Sequence, residues 1–149
     1  LHASLICKSR LYIVASPDYL KKAGTPSHPQ ELFQHQLVGF SKPVYLNTWP
    51  LKIEDDYITV HPQIKASSGE TVRQLTLRGH GIARLSEYEI WQDLQAGSLI
   101  ALFEDQIEIQ LQHIHAVYYQ QKHLPKRVRL FIDFLADELS QQFSTTQAL

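Results

Sequence analysis

Cysteine is nearly missing from this 149-residue chain: Cys7 stands alone. That excludes an intrachain disulfide, a cysteine zinc site and a thioredoxin-type motif, and it fits a reducing compartment. Long apolar runs are missing too. No stretch approaches 18 apolar residues, and the opening L-H-A-S-L-I-C-K-S-R lacks the basic, apolar, small-residue order of a signal peptide. The expectation is a cytoplasmic, non-exported chain with no membrane partner. Neither sign of charge is in surplus, with 14 basic against 15 acidic residues and a formal charge of -1. A surface devoted to neutralising phosphates is therefore not expected. The one basic cluster, Lys122 to Arg129, lacks the base-reading partners of a nucleic-acid module and reads as a loop and the solvated start of a helix.

Catalytic signatures are absent as well. There is no G-x-S-x-G elbow and no G-x-x-x-x-G-K phosphate loop, and G-H-G-I-A-R (Gly79 to Arg84) lacks the third glycine and the strand context of a dinucleotide fingerprint. His113 and His115 alternate onto one face of a strand, yet two imidazoles without a neighbouring carboxylate or thiol make a poor closed site. No enzyme activity, metal or cofactor is expected.

What is present is a 44% hydrophobic chain long enough for one domain that buries roughly 70% of its unfolded surface. Leu11 to Ala15 reads as a strand. Ser16 then caps, and Pro17 opens, a helix ending at Gly24. A second helix is expected from His28-Pro29 to His35, then a strand over Leu37 to Phe40. Pro50 to Ile53 and Tyr57 to Val60 can pair as a hairpin about Glu54-Asp55-Asp56. Ile82-Ala83 forms a very short strand. Ser86 and Glu89 form a capping box for a helix closed by Gly97, and Leu99 to Phe103 and Ile114 to Tyr119 are strands. Pro125 opens the longest helix, and Ser144 to Leu149 frays. This alternation predicts an α/β architecture with a parallel or mixed sheet.

The most informative stretch is Ala66 to Leu85. Ser67 followed by Glu70 is a capping box, and the free amides about Ser68 and Gly69 offer an anion site at the positive end of the helix dipole. Equally, Ser67 can cap a helix and bind nothing. In α/β sheets ligands gather where strands end and helices begin, and the turns at Ala15-Ser16 and Ala66-Ser67 are both read as of that kind.

Several segments in order, V-A-S-P-D-Y-L (Val14 to Leu20), H-P-Q-E-L (His28 to Leu32), H-Q-L-V-G-F-S (His35 to Ser41), N-T-W-P-L (Asn47 to Leu51), S-S-G-E-T-V-R-Q-L-T-L-R-G-H-G-I-A (Ser67 to Ala83), D-L-Q-A-G-S-L (Asp93 to Leu99), I-H-A-V-Y (Ile114 to Tyr118) and H-L-P-K-R-V-R-L-F-I-D-F-L (His123 to Leu135), resemble the effector-binding domain of LysR-type transcriptional regulators over nearly the whole chain. The resemblance implies a type 2 periplasmic-binding-protein-like fold, with a small effector held between two α/β subdomains. It places the second subdomain at about residues 15–102 and the returning part of the first at about 114–143. It also implies a homodimer or tetramer that meets DNA only through an N-terminal winged helix-turn-helix. That domain and most of the first subdomain's N-terminal half find no counterpart in these residues, so the chain reads as a fragment. Effector contacts carried over by the resemblance are Ser16, Ser67, Ser68 and Gly69, with Phe40 and Ser41 as second choices; Phe40 can equally be a core residue. The segment Leu5 to Ser9 is shorter than the family's usual length, His80 stands where a leucine is more common, and Arg84-Leu85-Ser86 replaces the usual apolar residue and proline. A periplasmic solute-binding protein with the same fold is the alternative.

Overall fold

The computed structural model describes residues 1–119 and 124–143. The expected frayed tail at 144–149 and the first part of the Lys122 to Arg129 cluster lie outside them. The chain divides into two compact units, one made of Leu1–Arg10 and Leu111–Leu149, the other of Leu11–Gln110.

The Leu11–Gln110 unit is organised about the last five residues of β1 (His2–Ala15). Ile13, Val14 and Ala15 are wholly buried, as a central strand covered on both faces requires. β1 runs antiparallel to β6 (Ala83–Ser86) on one side, with Leu11 opposite Ser86 and Val14 opposite Ala83. On the other side it is antiparallel to β7 (Ile100–Leu102). β2 (Val38–Phe40) pairs in parallel with β5 (Ile64–Ala66) and touches β6 through a parallel bridge between Leu37 and Ile82. β5, β2, β6 and β7 therefore run one way and β1 runs the other. β3 (Thr48–Ile53) and β4 (Asp56–Thr59) form the expected hairpin.

Side chains alternate across this sheet. Ile13 and Ala15 join Tyr19, Leu32, Trp49, Leu51 and Phe103 in one buried cluster. Val14 joins Val72, Leu85, Ile90 and Leu99 in a second. Three helices cover the unit. α1 (Pro17–Ala23) has Ser16 as its cap and Pro17 in its first turn, as expected. α2 (Gly69–Leu77) and α3 (Glu87–Ala96) bury Val72 and Ile90, and α3 carries the Ser86–Glu89 capping box and a left-handed Gly97 cap.

Three elements differ from expectation. β1 begins at His2 rather than Leu11, because its first half pairs with β8 (Leu111–Tyr118), a partner more than a hundred residues away. The strand runs through the short Leu5 to Ser9 segment with a bulge between Leu5 and Cys7. Pro29–Gln34 winds as a 3-10 helix instead of an α-helix. The strand read at Ile82-Ala83 extends to Ser86, since pairing with β1 continues to Leu11.

The other unit pairs the first half of β1 with β8 and adds α4 (Lys126–Gln142), which Pro125 precedes as expected. Phe143 is buried, whereas Leu130, Phe131, Phe134 and Val117 are largely exposed. His113 and His115 do share one face of β8, their ring centroids 6.3 Å apart. No group of metal-ligating side chains forms among the described residues.

Candidate functional site

Because β5, β2 and β6 are parallel, their carboxyl ends meet at one edge of the Leu11–Gln110 unit. Three turns leave that edge: Ser41 after β2, Ser67-Ser68 into α2, and Ser86 into α3. This is where ligands bind in sheets of this kind. Ser41 donates its amide to the Ala66 carbonyl at 2.9 Å, which ties the ends of β2 and β5 together. Asn47, buried, closes the loop beyond it by accepting from the Phe40 amide at 3.0 Å and donating to the Phe40 carbonyl at 2.8 Å. Ser41, Ser67 and Ser68 are exposed. Phe40 is half-buried and packs on the Val72–Ile90 cluster, so much of its ring serves the core.

The cap of α2 is Ser68, not Ser67. Its Oγ accepts from the Thr71 amide at 3.2 Å and lies 2.9 Å from the Thr71 hydroxyl. The expected Ser67–Glu70 box does not form, because Glu70 turns along the helix to accept from Arg73 and Gln74. Arg73 in turn grips Asp93 of α3 through Nε and Nη2 at 2.6 and 2.9 Å, a bidentate pair that locks α2 to α3.

The first turn of α2 is also not an open anion hole. The Glu89 carboxyl of α3 lies against Gly69, so close that a β-carbon at position 69 would collide with it. The same carboxyl accepts from the Ser86 amide at 3.4 Å, so one acidic group stands at the start of both helices. Burial holds its pKa above the ordinary carboxylate value, against the lowering effect of the Ser86 hydrogen bond.

Arg84 rises from β6 two residues before the Ser86 turn. It sits opposite Ile13 in register and is only 8% exposed. Its Nε is buried with no hydrogen-bond partner. Burial lowers its pKa, and the nearby Glu89 carboxyl and Tyr45 phenol push it back up, which places both groups in its electrostatic neighbourhood. Sequence reasoning did not name Arg84, Glu89 or Tyr45 as site residues. The available signal was a cation inside the run I-A-R-L-S, whose every residue is buried.

Ser16 does not join this group. β1 is antiparallel to β6, so its end lies at the opposite edge of the sheet. There Ser16 is 2% exposed, its Oγ accepts the Tyr19 amide at 3.2 Å, and it neighbours Gly79, beyond the far end of α2. α2 spans about 13 Å at 1.5 Å per residue, which separates Ser16 from the Ser68 turn. The two turns read from sequence as equivalent thus face opposite ways.

Residues 1–140 match the LysR substrate binding domain. This chain belongs to that family. It is 42% identical over 140 residues to the HTH-type transcriptional regulator CrgA of Neisseria meningitidis serogroup C, covering 93% of this chain and 47% of that protein. It is 31% identical over 137 residues to the HTH-type transcriptional activator TtdR of Escherichia coli K12, covering 90% and 44%. The chain therefore spans about half the length of the curated relatives it matches. The solved regulatory domain of CrgA superposes with a TM-score of 0.88 at 41% identity, over 93% of this chain and 68% of that one. Full-length AphB, a virulence activator of Vibrio cholerae, superposes with 0.73 at 31% identity, over 93% and 48%. The LysR-type effector-binding domain thus has the expected α/β, type 2 periplasmic-binding-protein-like fold. These relatives are named as transcriptional regulators, not enzymes. No helix among the described residues is long and apolar enough to cross a membrane.

Proposed function

We propose that this chain is the effector-sensing and oligomerising part of a bacterial LysR-type transcription regulator. Its effector is a small polar or anionic metabolite held at the carboxyl-end edge of the Leu11–Gln110 unit. Ser41, Ser67 and Ser68 supply the polar contacts and Phe40 an apolar wall, while Gly69 leaves room for the Glu89 carboxyl to pack beside them. Ser16 stays outside the site. The observation that carries this reading is the convergence of exposed serines and two helix starts where β2, β5 and β6 end. In this reading about residues 15–102, within the Leu11–Gln110 unit, are the second subdomain, and about residues 114–143 the returning part of the first. The relatives' names favour a regulator over a solute-binding protein, and the protein works where the DNA is.

An effector acts only through unequal affinity for two states, so binding shifts the arrangement that a dimer or tetramer presents to DNA through a helix-turn-helix domain. Exposed Leu130, Phe131 and Phe134 on α4 support association. Sedimentation of the full regulator as a clean monomer at high concentration would count against that. The binding site is tested by a thermal-shift screen of small organic acids and their amides on the full regulator. Calorimetry on Ser67→Ala and Ser68→Ala then follows with any compound that raises the melting temperature. Weaker binding is expected, and unchanged affinity removes these serines from the site.

A further inference from the structure

We propose that Arg84 is the anchoring cation of the effector site, and that the effector is a small carboxylate. The inference rests on the reading of the strand-end edge as the effector site and names the ligand class that edge takes. A guanidinium carries five N–H donors in a planar fork and no acceptor. Arg84 keeps its charge at any physiological pH, yet it is 8% exposed and its Nε has no partner. It takes no part in the Lys52–Glu108, Arg73–Glu70 or Arg73–Asp93 ion pairs. Buried charges are ordinarily paired, because an unpaired one has lost its water and received nothing in return.

The contrast with Arg73 is direct. Arg73 is the more exposed of the two and has both a bidentate acid and a second carboxylate. Arg84 has none, although Glu89 stands in its neighbourhood. Glu89 is occupied elsewhere, on the Ser86 amide and against Gly69. An acid brought in from outside supplies what the guanidinium lacks, and a carboxylate is the planar acceptor that matches its fork. The position agrees with this role. Its electrostatic neighbours are Glu89 in the first turn of α3 and Tyr45 in the turn after β2, and the Glu89 carboxyl in turn lies against Gly69 at the start of α2.

The test uses the full regulator with benzoate and succinate as probes, and benzamide and succinamide as their uncharged counterparts. Melting temperatures and calorimetric affinities are measured for the parent protein, Arg84→Leu, Arg84→Lys and Ser68→Ala. Expected are binding of at least one acid but not its amide, and a roughly tenfold to hundredfold loss in Arg84→Leu, the size of a charge-assisted contact. Arg84→Lys should show a smaller loss, since it keeps the charge without the fork. Ligand-free Arg84→Leu should melt no lower than the parent, because an apolar side chain suits a buried, unpaired position. If Arg84→Leu retains acid binding while Ser68→Ala loses it, the anchor is wrong and the site stands. Amides that bind as well as acids in a Ser68-dependent way overturn the carboxylate assignment alone. Acids that bind both variants undiminished overturn site and anchor together, and failure of both acids to bind overturns the anchor. A ligand-free Arg84→Leu that melts lower than the parent also overturns it, by showing that the guanidinium already has its contacts.

Discussion

The two edges of the sheet in the Leu11–Gln110 unit are built from similar materials and do different things. Each has a serine that caps a helix and a glycine that something approaches closely. At the β1 end, the hydroxyl of Ser16 is buried and used by the Tyr19 amide, and Gly81 packs against the backbone carbonyl of Gln36. At the end of β2, β5 and β6, Ser41, Ser67 and Ser68 face solvent, Gly69 meets only a side chain, and Arg84 is unpartnered. The difference teaches how to separate scaffold from site. An edge whose polar groups are buried and satisfy one another holds the fold, whereas the edge with exposed hydroxyls and a buried, unsatisfied Arg84 Nε is the one proposed to take a ligand.

That contrast can be broken most forcefully with the same substitution at both edges. Gly81→Ala should cost about 3 kcal/mol, because its φ of 153° disfavours a side chain and the new methyl meets the Gln36 backbone, which cannot step aside. Urea denaturation measures this, and a loss below about 1 kcal/mol would show that the edge is softer than described. Ser16→Ala should cost about 1 kcal/mol, the usual worth of a cap, and leave effector binding unchanged. A change in affinity there would return Ser16 to the site. Gly69→Ala should cost under about 1 kcal/mol, since the obstructing group is the end of a side chain that can change rotamer, yet it should alter effector affinity by displacing the Glu89 carboxyl.

The smallest effect is a pH profile. Glu89 is held above its ordinary pKa of 4.5, so the folded chain takes up this proton more readily than the unfolded one. Its contribution is therefore full below 4.5 and is lost as pH rises through the raised folded value. Glu89→Gln keeps the capping geometry and removes the titration. The stability difference between variant and parent should grow in the variant's favour over that window, and parallel curves would show that Glu89 is not strained by burial.

Much of the local structure was legible. Ser16-Pro17, Ser86–Glu89, Gly97 and Pro125 mark helix boundaries where the structure has them, because caps act over one turn and their partners lie three or four residues away. The cap of α2 was misplaced by one residue because adjacent serines are chemically equal. Long-range contacts chose between them: Val72 must reach the core while Arg73 meets Asp93. The first half of β1 was missed because its partner, β8, lies at the other end of the chain.

By itself the sequence determined the α/β class, the family, the caps of α1 and α3 and the presence of a serine-rich turn at Ser67 to Gly69. These depend on short-range periodicity and on motifs in order. Strand direction belonged to the tertiary structure alone. A strand's pattern of apolar residues reads the same whichever way its neighbour runs, so only pairing showed that Ser16 and Ser68 end on opposite edges. Packing likewise decided that the first turn of α2 is lined by the Glu89 carboxyl and that Arg84, an ordinary cation in the sequence, is buried with its Nε left without a hydrogen bond.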